Sequence, residues 1–163
     1  MSSHDCRITG TLPLKEGATD RQIKAVLKNF LAEHELSQSH EAAEGNIVID
    51  SHSLSLSLSL DIYGRGGYDD ESVDALADRL GSIVDDGGHF EFLDFDTGST
   101  DEACTPYFVG TNEAAKQRAQ LNYGIEQMEQ WVRPIVGNEA FDEIKQFVLC
   151  QSPQLVEEST HGR

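Results

Sequence analysis

Acidic side chains crowd the stretch "DFDTGSTDE", 94–102, which places Asp94, Asp96, Asp101 and Glu102 close together. Clustered carboxylates suit a hard divalent cation, and the stretch opens as a calcium loop opens. The pattern then breaks, because Gly98 stands fifth rather than sixth and no acidic residue holds the twelfth position. It reads as a solvated acidic loop, with a weak Ca²⁺ or Mg²⁺ site as the sharper alternative.

Other candidate chemistry is thinner still. "GRGG", 64–67, lies between a strand and a helix, where a phosphate loop would sit. It lacks the phosphate-binding Lys, and Asp69, Asp70 and Glu71 occupy the place a phosphate would approach, so turn glycines are the simpler reading. With Met1 removed, His4 becomes the third residue and completes an amino-terminal Cu(II) pattern, a common accident of sequence. The six histidines show no H-x-x-x-H spacing, so no zinc site is indicated. Cys104 sits among carboxylates that raise a thiol's pKa and so work against a nucleophile. Trp131, Tyr123 and Met128 share a helix and read as core or subunit contact. Neither a cofactor nor a pair of catalytic residues stands out.

Charge says more. The formal net charge of the 163 residues is −17. Residues 69–102 hold twelve acidic residues against one basic, so about two-thirds of the excess lies in one-fifth of the chain. Such a field repels DNA, RNA and anionic membranes and attracts basic protein surfaces. Halophilic adaptation also makes chains acidic, but it spreads the excess more evenly. Cys6, Cys104 and Cys150 are an odd set without C-x-x-C spacing, which points to a reducing, cytoplasmic setting. No apolar run is long enough to span a membrane, and the N-terminus has no signal pattern.

Residues 1–151 read as a single α+β domain and 152–163 as a disordered tail. "RITGTLPL", 7–14, is a strand, with Pro13 marking an edge or a terminus. Thr19 or Asp20 caps a helix whose stripe is Ile23, Val26, Leu27, Phe30 and Leu31. "NIVID", 46–50, is a short strand, and "SLSLSLSLDI" begins another near Ser53. The apolar parity changes between them, so a hairpin turn at 50–52 is preferred over a bulge. Leu54, Leu56, Leu58, Leu60 and Ile62 then form one buried face, and Ser53, Ser55, Ser57 and Ser59 the other. A two-residue slip keeps leucine over leucine, so the ends of the strand must set its register. The spacing predicts a helix over 69–86 with the stripe Val73, Leu76, Ala77, Leu80, Ile83 and Val84, which leaves Asp85 and Asp86 at the wrong end of its dipole. Strands follow at 89–96 and 104–110, the latter at an edge. A long helix then carries Ala114, Leu121, Ile125, Met128 and Val132 inward as far as Pro134, and a last helix follows Asn138.

The order strand-helix-strand, strand-helix-strand fits a ferredoxin-like split βαβ two-layer sandwich with an extra strand and C-terminal helices. The serine face lacks the exposed aromatics and basic neighbours of RNA-binding sheets. The expected function is a non-enzymatic module whose acidic face docks on a basic surface, including one that normally holds nucleic acid. Acidic phage or plasmid inhibitors of the anti-CRISPR or anti-restriction kind act in this way. The expected contacts are Asp69, Asp70, Glu71, Asp74, Asp78, Asp85, Asp86, Asp94, Asp96, Asp101 and Glu102. Two alternatives stand beside it: a small-molecule- or metal-binding domain or enzyme with a site between sheet and C-terminal helices, and a homo-oligomer paired through a sheet edge or the last helices.

Overall fold

The computed structural model describes residues 4–34, 47–64, 70–95 and 103–151. Five strands form one antiparallel sheet: β1 (His4–Pro13), β2 (Ile47–Asp50), β3 (Ser55–Gly64), β4 (Gly87–Phe95) and β5 (Ala103–Gly110). Their spatial order is β2-β3-β1-β4-β5. Among the described residues four helices complete the α+β fold: α1 (Asp20–Glu33), α2 (Asp70–Leu80), α3 (Glu113–Val136) and α4 (Asn138–Gln151).

β1 is central, and Pro13 marks its terminus, where no further ladder bond is needed. β5 is an edge strand, which tolerates Pro106. β2 and β3 form a hairpin, with Ile47 opposite Leu58 and Ile49 opposite Leu56, so the two parities meet on one face. Asp50 organises the turn: its carboxylate accepts from the backbone N–H of His52 at 2.8 Å and the hydroxyl of Ser53 at 2.8 Å. These bonds hold the Asp50 carboxyl below its ordinary range, the Ser53 hydroxyl contributing most.

Leu54 is not part of the leucine face. It occupies the turn with φ +48° and is exposed, while its carbonyl accepts from Leu14 N–H at 2.7 Å. The buried row is Leu56, Leu58, Leu60 and Ile62. It joins Ile8 and Leu12 of β1 and Phe90 and Phe92 of β4 beneath Ile23, Leu27 and Phe30 of α1 and Val73, Leu76 and Leu80 of α2. α1 starts at a capping box in which Thr19 accepts from Gln22 N–H and Gln22 accepts from Thr19 N–H.

The opposite face carries the hydroxyls. Thr9 stands opposite Ser59 and Thr11 opposite Ser57, with the Thr11 and Ser57 hydroxyls 3.0 Å apart. α3 packs on this face at β4 and β5, through Tyr123 against His89 and Phe108. Ser59 and Thr11 stay exposed. Of the expected inner row of α3, Ile125 is buried and Ala114, Leu121, Met128 and Val132 are half-buried, while the row against the sheet is Ala115, Ala119 and Tyr123. The reason is close approach: a Cβ on Gly110 would sit 2.5 Å from Lys116 N and 3.0 Å from the Ala115 methyl, so only small side chains fit. The helix runs through Pro134 and ends at Gly137.

The two sheet faces predict opposite mutational costs. Leu58→Ala should lower stability by about 2–5 kcal/mol, and Ser59→Ala should change it by less than about 0.5 kcal/mol, in chemical denaturation.

Candidate functional site

α2 forms because its apolar residues return every three or four positions. Val73, Leu76, Ala77 and Leu80 are buried against the sheet. The same periodicity puts Glu71, Asp74 and Asp78 on the opposite, exposed side, at i, i+3 and i+7. The helix is about 16 Å long, so these carboxylates make a ridge rather than a point cluster. Ser72 is its one buried polar side chain, 3.1 Å from His34 Nε2 of α1, and the His34 ring also lies 4.4 Å from Phe30.

The helix ends at Leu80, six residues before the expected end. Residues 81–84 are a turn whose Ile83 and Val84 N–H groups donate to Leu80 C=O. The early end has a steric cause: Gly81 packs directly on the carbonyl oxygen of Gly110, and a side chain there would collide with it. Ile83 and Val84 remain core residues, Val84 as a bridge to Leu14. Asp85 and Asp86 therefore do not end a helix and meet no unfavourable dipole. The Asp85 N–H donates to Pro13 C=O at 2.9 Å. Asp86 has φ +59°, and its C=O accepts from Thr111 N–H at 2.8 Å.

Two cations of α3 meet the acidic segment. Lys116 Nζ lies 2.6 Å from Asp78 Oδ1, and Arg118 holds the Asp86 carboxylate through both Nη2 and Nε. The Asp78 hydrogen bond raises the Lys116 pKa against a smaller opposing effect of burial, and the charges of Asp78, Glu113 and Asp74 raise it further. Stability from this pair is thus fully present below the unfolded lysine pKa and is lost as pH rises through the folded one. Both pairs are solvent-exposed and each is worth at most about 1 kcal/mol. Sequence reasoning missed these pairings, although Lys116 and Arg118 are the only cations in the first half of α3.

The expected contacts thus separate. Glu71, Asp74 and Asp78 share the α2 ridge, and Asp70 opens that helix. Asp85 and Asp86 lie beyond its C-terminal end, both exposed. Asp94 lies near the end of β4, half-buried, with the Cys6 thiol 3.7 Å from its Oδ1. Asp69, Asp96, Asp101 and Glu102 lie outside the described residues, as do 65–67 of the glycine stretch and residues 1–3 of the amino-terminal copper pattern. Glu91, counted in the acidic segment, points to the opposite sheet face beside Cys104 and Tyr123.

That opposite-face group is the nearest thing to an enzyme site between the sheet and the C-terminal helices. Cys104 is exposed and free. Its pKa is raised first by desolvation and then by the charge and hydrogen bond of Glu91, which is the wrong direction for a nucleophile. The Tyr123 pKa is raised first by desolvation and then by the charges of Glu91 and Cys104. Among the described residues no group of three or more His, Cys, Asp or Glu is placed to hold a metal ion, and no helix is long and apolar enough to cross a membrane.

The Glu91 effect is directly measurable. Glu91→Gln should shift the pH profile of Cys104 alkylation by iodoacetamide to lower pH and speed the reaction several-fold near neutrality. An unmoved profile would show that burial alone raises this thiol.

No family model, no curated protein and no solved structure matches the chain.

Proposed function

We propose that the protein is a non-enzymatic binding module whose acidic ridge docks on a basic surface of another protein. The observation that carries this reading is the alignment of Glu71, Asp74 and Asp78 along the exposed side of a helix whose other side is buried in the core. The anchoring matters, because a charged ridge fixed to a packed core presents its carboxylates without further ordering cost on binding. Asp85 continues the negative surface past the helix end, and the chain's charge of −17 adds a long-range field of the same sign.

The partner surface with the best electrostatic match is one shaped for phosphates, and in its sharper form the module is an inhibitor that occupies a nucleic-acid groove. The ridge supplies the carboxylates of Glu71, Asp74 and Asp78, of which Asp78 pairs with Lys116 of α3, and Arg79 is the one cation of α2 itself. The ferredoxin-like reading of the scaffold belongs here too. It is supported by the order β2-β3-β1-β4 and by the packing of α1 and α2 on one face, with β5, α3 and α4 as additions.

The test is capture of proteins from a host lysate on the immobilised chain. Wild type should retain a basic partner that is released as salt rises, and a DNA duplex should displace it. Changing Glu71 and Asp74 together to Lys should weaken that capture on the order of 10-fold or more, mainly by slowing association. Capture that survives both high salt and charge reversal would refute the acidic ridge as the docking surface.

A further inference from the structure

We infer that the exposed apolar stripe of α3 is a self-association surface, and that two copies of the chain pair through it. Leu121, Gly124, Met128, Trp131 and Ile135 recur at alternating spacings of three and four, the spacing of a helix–helix seam. At 100° per residue this stripe lies on the far side of α3 from Ala115 and Ala119, which face the sheet. Its outer part is open: Trp131 is 71% and Ile135 83% exposed, and a Cβ placed on Gly124 would find no atom within 4 Å, while Leu121 and Met128 are half-buried.

Charge selects the occupant. The seam and its flanking positions Gln120, Gln127, Ile125, Val132 and Pro134 carry no charge, in a chain where one residue in four is charged. The charges of this helix half lie off the seam: Arg133 pairs with Glu129 and Asp142 and lies over the Phe141 ring of α4, and Glu126 falls on the side of Ala115 and Ala119. A basic protein gains nothing from so neutral a stripe. A second copy does, because this is the face on which two strongly acidic chains approach with least repulsion. Gly124 allows the helices to come close.

The area is sufficient. A large aromatic carries roughly 150–250 Å², so the stripe offers on the order of 400 Å² of apolar surface per copy. A standard interface removes about 800 Å² per partner, a little over half of it apolar. A two-fold axis sets each stripe against the other and leaves α2, on the opposite sheet face, accessible. The inference does not depend on the role proposed for the acidic ridge.

Trp131 is the only tryptophan, so it reports its own burial. The full-length chain should sediment as a dimer at concentrations up to about 100 μM, and its emission should shift to the blue over the same range in which the mass doubles. Ile135→Glu enters a two-fold interface twice and should raise the dimer dissociation constant on the order of 100-fold, with emission staying red. Trp131→Ala, read by mass alone, should weaken the dimer likewise, and Val48→Glu on the β2 edge should leave it intact. A wild-type chain that stays monomeric to that concentration, or that is monomeric and binds anionic or neutral vesicles, overturns the inference. So does a dimer that resists Ile135→Glu and Trp131→Ala or is lost with Val48→Glu.

Discussion

An alternation of serine and leucine cannot set its own register, and every other feature of this sheet depends on something else doing so. Three pins do it. At one end, Arg7 of β1 stands opposite Asp61 of β3 and reaches its carboxylate at 2.6 Å. At the other, the Asp50-centred turn and the Leu14–Leu54 backbone bond fix where β3 begins. Between β1 and β4, Gly10 leaves the gap that Phe90 fills, and a Cβ at Gly10 would sit 2.8 Å from that of Phe90. A two-residue slip of β4 on β1 would put Ile8 or Leu12 in the place of Gly10 opposite Phe90, so this contact holds β4 to β1 while the two ends hold the Ser-Leu strand.

With the register fixed, the helices have little choice. Gly81, Gly87 and Gly110 meet where α2 ends, β4 begins and β5 turns into α3, and each packs against backbone with no room for a side chain. This junction stops α2 at Leu80 and brings the start of α3 beside it. Lys116 and Arg118 then reach Asp78 and Asp86. The ridge is thus set by the junction and not by attraction among its own charges, which repel one another. Weak surface pairs at its edge offset part of that repulsion while Glu71 and Asp74 stay exposed.

Much of this was legible before any coordinates. Apolar spacing located both core helices, parity identified the hairpin, and Pro106 marked an edge strand. What the sequence hid has a common cause: backbone approach leaves no periodic trace. The end of α2, the removal of Leu54 from the buried row and the choice of Ala115 and Ala119 as the inner side of α3 all follow from where glycines or turns let main chains touch. For the site, counting charge located the right segment but not its sidedness. Glu91 alternates away to the other sheet face, and Asp94, half-buried, sits next to a thiol instead of joining the ridge. Strand parity could have signalled the first of these, since Glu91 lies between the buried Phe90 and Phe92.

We propose one side of α2 as the surface that a partner touches. Carboxylate footprinting of the chain, free and bound to whatever basic protein it captures, tests it most directly. Glu71, Asp74 and Asp78 should lose labelling in the complex while Asp20, Asp142 and Glu143 label as before. Unchanged labelling along α2, with protection appearing on those other carboxylates instead, would contradict it.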